Sequence, residues 1–259
     1  MSEGPQRPVI LLHGLGQQRR FWDTTSQHLG SHTVVRIDQR CHGESDTPIK
    51  ADLSIARCGL DVVELADRLD LKDPLVVGHS WGASVALAAG AAGNLDVLLI
   101  DGGLMPLSAL GDWQTIRPRF IPPLTSFSVS DVASWLSESG VPPEIQEASV
   151  EAVRHGYREI SPGVLTTKIG AERHMAVLDE LASYSPLEDF KHMAVNLRSV
   201  SAIVAGNLED ERLSAVGNIQ KVFPDLRVAV WPDAIHDVPL QSPQLTAAFI
   251  SATARGETQ

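Results

Sequence analysis

A serine hydroxyl becomes a nucleophile when a base takes its proton and a third group holds that base in the right tautomer. The serine best set up for this is Ser80, in the stretch Val76-Val77-Gly78-His79-Ser80-Trp81-Gly82-Ala83. An apolar run, Leu75 to Val77, stops at Gly78, and the small residues Ala83, Ala86, Ala88 and Ala89 follow Gly82. That is the strand, sharp turn and helix order of a nucleophile elbow. The turn forces the serine into a strained backbone and leaves no space for a Cβ at either flanking glycine. A bare G-x-S-x-G also arises by chance, so context carries the reading. The candidate base is His236, in a loop after the last predicted strand, which a parallel sheet brings beside the elbow.

Chemistry at a carbonyl also needs donors for the oxygen that gains charge. Val9 to Leu12 predicts a short strand running into His13-Gly14-Leu15-Gly16. This loop has no Lys-Ser/Thr for a phosphate loop and lacks the G-x-G-x-x-G spacing. Its glycines would let the backbone approach a substrate oxygen, with the Leu15 and Trp81 amides as the oxyanion donors. His13 is read as structural. His28, His32, His42 and His79 have no partner that the sequence names, and His155, His174 and His192 fall in the proline-punctuated stretch between Leu104 and Leu197.

The elements that must position these groups follow from the apolar pattern. Strands are predicted at Val9 to Leu12, Thr33 to Ile37, Leu75 to Val77, Val97 to Ile100, Ser199 to Ala205 and Leu226 to Trp231. Helices are predicted at Phe21 to Leu29, from Asp52 to about Leu71, after the elbow, at Leu213 to Val222 and from Pro243 onward. Asp52 or Ser54 would cap the second helix, with Leu60, Val63 and Ala66 on one face. Strands separated by helices give a parallel sheet with helices on both faces. From Leu104 to Leu197 the strand signal disappears, and prolines punctuate short helical stretches at 131–137, 144–157 and 172–181.

After the second strand comes Asp38-Gln39-Arg40-Cys41-His42-Gly43-Glu44-Ser45. With His-Gly-x-x before it and the elbow after it, the chain resembles α/β-hydrolase-fold enzymes of the esterase, lactonase, dehalogenase and epoxide-hydrolase kind. It departs from their Asp-x-Arg-Gly-x-Gly-x-Ser at Cys41, where the family usually has glycine. The resemblance implies an α/β fold with a mostly parallel sheet of about six strands and helices on both faces. It also implies a core of residues 1–103 and 198–259, with 104–197 inserted as a helical cap. Only eight residues precede Val9. The family's opening hairpin is therefore expected to be missing, or the start to be assigned too late. Under the cap, Trp113, Phe120 and Trp135, with Phe127 and Met175, could line an apolar pocket.

The resemblance leaves two positions for the acid. Glu209 stands at the family's Gly-x-x-Asp position after the strand ending at Ala205, and Asp101 follows the strand ending at Ile100, as in many dehalogenases. A useful acid is rigid and shielded from water. Asp101 sits directly on a buried strand end, whereas Glu209 and then Asp210 belong to Glu-Asp-Glu-Arg, which reads as a solvated turn. Asp101 is preferred.

Serine at position 80 argues against an alkyl-enzyme of the dehalogenase type, because those relatives use aspartate there. The resemblance then implies a serine hydrolase acting on small to medium hydrophobic esters or lactones through an acyl-enzyme, with no cofactor and no metal. Alternatives on the same fold are a cofactor-free haloperoxidase or perhydrolase, a carbon-carbon bond hydrolase, a proline iminopeptidase and a receptor-like binding module. Composition narrows the partners. A formal net charge of -11 with no basic cluster argues against nucleic acid and anionic membrane, and 43% apolar residues in 259 fill a full core. Cys41 and Cys58 make neither a disulfide framework nor a metal spacing, and no apolar run of spanning length exists, so a cytoplasmic enzyme is expected.

Overall fold

Continuous apolar runs form strands buried on both faces, and shorter mixed runs form the edges. The computed structural model describes residues 6–107, 111–120, 127–138, 143, 146–193, 196–206 and 210–257. The chain opens with β1 (Gln6–Leu12), α1 (Asp23–Ser26), β2 (His32–Ile37), α2 (Ile55–Arg68), β3 (Leu75–His79), α3 (Trp81–Gly93) and β4 (Asp96–Ile100). An insert follows with α4 (Trp113–Ile116), β5 (Phe127–Ser128), α5 (Val129–Glu138), α6 (Gln146–Arg154), β6 (Tyr157–Ser161), β7 (Val164–Thr167), α7 (Ala171–Ser183) and α8 (Pro186–Met193). The chain closes with β8 (Ser199–Ala205), α9 (Asp210–Val222), β9 (Arg227–Trp231), α10 (Val238–Gln241) and α11 (Pro243–Ala254).

Six strands pair in parallel in the order β2-β1-β3-β4-β8-β9. Successive residues of a strand face opposite sides, which splits the core in two. Ile10, Leu12, Val76, Val97 and Leu99 pack against α2 and α3, while Val9, Leu11, Val77, Leu98 and Ile100 pack on Phe21, Trp22, Ala247 and Ile250. The chain winds from β1 outward to β2, then returns to lay β3 on the other side of β1. The order therefore reverses between β1 and β3, and the crevice beyond the carboxyl ends of those strands is where open α/β sheets place ligands.

Three local expectations change. The predicted helix at 21–29 is a 3-10 turn, Arg19–Trp22, followed by the single turn of α1. Thr24, Thr25 and Ser26 are weak helix formers, and the Ser26 hydroxyl bonds the Asp23 carbonyl instead. In α2 the N-cap is Ser54, and the buried face is Ile55, Cys58, Gly59, Val62 and Ala66, leaving Leu60 half exposed.

The insert is the third correction, because it is not purely helical. β6 and β7 form an antiparallel hairpin around Pro162-Gly163, and β5 adds to β7 as a third strand. The helix expected at 144–157 ends at Arg154, and Tyr157 starts β6. A Pro-Gly turn between short β-prone runs is the available signal.

Two side chains of α7 tie the insert to the core. Glu180 Oε1 accepts the Ile55 N–H at the start of α2, 3.0 Å away, and Arg173 donates to the Pro48 carbonyl at 3.2 Å. Phe190 of α8 is fully buried in the main core, its ring tilted against that of Phe223.

Candidate active site

The elbow is built by packing that only glycine permits. A Cβ on Gly78 would run into the Gly82 carbonyl, and one on Gly82 would sit 2.5 Å from the His13 carbonyl oxygen. Between them Ser80 holds φ 56° and ψ -123°, a conformation that L residues rarely adopt. Its N–H is pinned to the Ile100 carbonyl at 2.9 Å, so the strained residue is anchored to the neighbouring strand β4.

His236 and Asp101 arrive from the ends of two other strands. The Ser80 hydroxyl is 3.0 Å from His236 Nε2, and His236 Nδ1 is 2.6 Å from Asp101 Oδ2. With a carboxylate accepting from Nδ1–H, the bare Nε2 faces the hydroxyl, the tautomer needed to take its proton. Asp101 Oδ1 accepts the Ala205 N–H at 3.0 Å, and its own N–H donates to the Ile203 carbonyl at 2.8 Å. Burial pushes the Asp101 carboxyl up, but the hydrogen bond and charge of His236, with the Ala205 N–H, outweigh it and hold the group below the usual carboxylate range. The His236 ring is 56% exposed and Asp101 only 12%, so the imidazole is open to substrate while its partner is shielded.

Leu15, one of the two expected oxyanion donors, lies in the loop after β1. Gly14 N–H is taken by Gln17 Oε1 at 2.9 Å and Gly16 N–H by His42 Nε2 at 3.1 Å. Among the described residues no hydrogen bond takes up the N–H of Leu15 between them, nor that of Trp81 at the start of α3. Both N–H groups flank Ser80: Trp81 follows it at the start of α3, and a Cβ on Gly14, next to Leu15, would lie 3.2 Å from the Ser80 Cβ.

Histidines that the sequence leaves without partners brace these loops. His13 accepts the Gln39 N–H at Nε2, 3.1 Å, and donates from Nδ1 to the Gly14 carbonyl, 2.8 Å. His42 donates from Nδ1 to the Arg40 carbonyl at 2.9 Å and stacks near Trp81. His79 lies 2.9 Å by its Nε2 from the His236 carbonyl and stacks on Phe21. Burial is the main reason all three stay neutral: it lowers His13 and His79 to about 4 and His42 to about 3. Adjacency to the motif glycines is their only signal in the sequence.

The Asp-x-Arg loop is a scaffold. Asp38 accepts the Arg19 N–H at 2.7 Å and the Glu44 N–H at 3.0 Å, while Arg40 grips Asp61 with two nitrogens at 2.6 Å. Cys41 keeps the backbone that a glycine would adopt, φ 64°, with its side chain fully buried.

The pocket expectations are only partly reached by the described residues. Trp113 gives its indole N–H to Asp179 at 3.1 Å, where Arg117 also pairs at 2.8 Å, so this ring is held in a clasp between α4 and α7. Met175 is buried in α7. The side chains of Phe120, Phe127 and Trp135 lie outside the described set, as does Glu209, the alternative acid. Both cysteines are free and buried. Among the described residues no group of three or more His, Cys, Asp or Glu side chains could hold a metal, and no helix is long and apolar enough to cross a membrane.

Comparison with known proteins places this chain in a family. The provisionally named 2-succinyl-6-hydroxy-2,4-cyclohexadiene-1-carboxylate synthase of Bacillus subtilis (strain 168) is 25% identical over 267 residues, covering 96% of this chain and 92% of that protein. The provisionally named carbamate hydrolase RutD of Caulobacter sp. (strain K31) is 30% identical over 186 residues, 64% of each chain. The crystal structure of E-2-(acetamidomethylene)succinate hydrolase shares the fold, with a TM-score of 0.78 at 21% identity over 98% of this chain and 93% of that one. The alpha/beta hydrolase family profile matches residues 9–249, and the chain belongs to that family.

Proposed function

We propose that this hydrolase cleaves carboxylic esters or lactones of small to medium apolar molecules through an acyl-enzyme on Ser80. The observation that carries the reading is the line from Ser80 Oγ to His236 Nε2 at 3.0 Å and from His236 Nδ1 to Asp101 Oδ2 at 2.6 Å. In the proposed cycle Oγ adds to the carbonyl carbon as its proton passes to Nε2. The Leu15 and Trp81 N–H groups take the resulting oxyanion, each worth about 3 kcal/mol of barrier lowering. His236 then protonates the leaving alkoxide, the C–O bond breaks and the acyl group stays on Ser80. Water enters, gives its proton to His236 and attacks; collapse releases the acid and restores the serine.

The buried free thiols suit a reducing cytoplasm, and the substrate is a small molecule. Fluorophosphonate labelling with peptide mapping tests the nucleophile: the label should sit on Ser80 and vanish in Ser80→Ala. A p-nitrophenyl ester series from acetate to decanoate tests the acyl pocket, and equal rates along it would count against an apolar one.

The Caulobacter relative favours a second reading, in which the same acyl chemistry expels nitrogen from a carbamate. Rates on matched 4-nitrophenyl esters and N-(4-nitrophenyl) carbamates, read as released phenolate and released aniline, separate the two. A carbamate preference would move the assignment from C–O to C–N cleavage without moving the residues.

A further inference from the structure

Gln17 lies three positions after Gly14, and its side chain folds back beneath its own loop. Oε1 accepts the Gly14 N–H at 2.9 Å, and Nε2 donates to Asp237 Oδ1 at 3.1 Å, across 220 positions of sequence. The amide can take only this orientation. Reversed, it would set NH2 against an N–H and an oxygen against a carboxylate. Asp237 is mostly buried, 16% exposed, so the contact is shielded from water.

What this one amide joins is notable for its neighbours. Gly14 precedes Leu15, whose N–H is the proposed oxyanion donor, and Asp237 follows His236, the proposed base. His236 exposes about half its ring, and packing alone does not fix it. Its side chain is held by Asp101, and its main-chain carbonyl lies 2.9 Å from His79 Nε2. The neutral ring of His79 has one proton to give, and the 2.9 Å contact takes it over the 3.4 Å approach of Nδ1 to Gln17 Oε1.

We propose that Gln17 is a positioning residue: its amide sets the distance between the loop that receives the oxyanion and the loop that carries the base. The inference rests on the serine hydrolase reading above. It is specific about polarity, because Gln17 must accept toward Gly14 and donate toward Asp237. That polarity can be inverted at the second contact. In Q17E the side chain still accepts from Gly14 but turns an oxygen on Asp237. In Q17E/D237N the new amide at position 237 donates back to the carboxylate at position 17, and the bridge closes again.

The test measures kcat, KM and the fluorophosphonate labelling rate for wild type, Q17E, D237N and Q17E/D237N, with thermal unfolding of each. Displacing reacting groups by about 1 Å loses on the order of 100-fold, so Q17E should lose about that factor in kcat with KM within about threefold. D237N retains an acceptor and should stay within about fivefold of wild type, and the double variant should return to that range. A role in packing alone predicts no recovery in the double variant. Wild-type rates in Q17E, or a double variant as slow as Q17E, would overturn the proposal. If Q17E does not fold, Q17M, which removes both contacts and keeps the bulk, must show the same kcat loss or the proposal fails. Wild type that is neither labelled at Ser80 nor active on esters would instead remove the serine reading itself.

Discussion

His236 Nδ1 lies 2.6 Å from Asp101 Oδ2, although 135 positions separate the two residues, and Asp101 holds φ 45° to make the contact. A left-handed backbone at a non-glycine residue is maintained only where surrounding structure fixes it. Here the fixing contacts are the Ile203 carbonyl and the Ala205 N–H of β8. Asp101→Asn keeps the shape but removes the acceptor that sets the imidazole tautomer. It should lower kcat by about 10³- to 10⁴-fold on an activated ester. Glu209→Gln should lose less than about tenfold under the same assay. If only the second substitution collapses turnover, the acid is Glu209.

The buried histidines should weaken the fold as pH falls below their unfolded value. Their folded values, about 4 for His13 and His79 and about 3 for His42, lie below the unfolded value of 6.5. Above that value both states are neutral and nothing is lost. As pH falls from 6.5 toward 4, the unfolded chain binds protons that the folded chain refuses, so stability falls by about 1.4 kcal/mol per pH unit for each histidine. Urea midpoints should therefore drop steeply between pH 6.5 and 4 and be nearly flat from 7 to 8. A midpoint unchanged down to pH 5 would show that these rings titrate normally.

Cys41 carries φ 64° with no glycine to relax it. Cys41→Gly and Cys41→Ala both remove the thiol, but only glycine removes the left-handed strain. The glycine variant should be the more stable by about 1 kcal/mol. Denaturant unfolding of the pair decides this, and equal midpoints would mean that the loop bears no strain at this position.

Gly78→Ala places a Cβ against the Gly82 carbonyl, a main-chain atom that no rotamer can move aside. The expected loss is about 3 kcal/mol or more, with ester turnover falling alongside it. A variant that melts with wild type would show that the elbow is looser than its packing implies.

The sequence makes some of this architecture plain and hides the rest for physical reasons. Leu75 to Val77 and Val97 to Ile100 read as strands because strands buried on both faces need unbroken apolar runs. Ser80 and His236 can be paired because the parallel order brings strand ends to one edge. The acid needs three-dimensional information, since any carboxylate at a neighbouring strand end satisfies the same rule. Gln17 is invisible: a polar residue in a polar loop gives no sign of a partner 220 positions away. The hairpin around Pro162-Gly163 is hidden by the helical stretches on either side, although its turn residues are in view. The edge of α2 is misread from pattern alone because Gly59 lets α3 approach that helix and turns Leu60 outward.

Leu12 faces Gly78 directly across the β1–β3 ladder. Two hydrogen-bonded strands therefore deliver their departing loops at matched height, and the separation between the proposed nucleophile and the proposed anion-receiving amides is a property of the sheet. We propose that molecular recognition is lodged elsewhere, in the segment threaded between β4 and β8. Exchange of that segment should retune which molecules are accepted while the bond-breaking apparatus, anchored beneath it, stays in register.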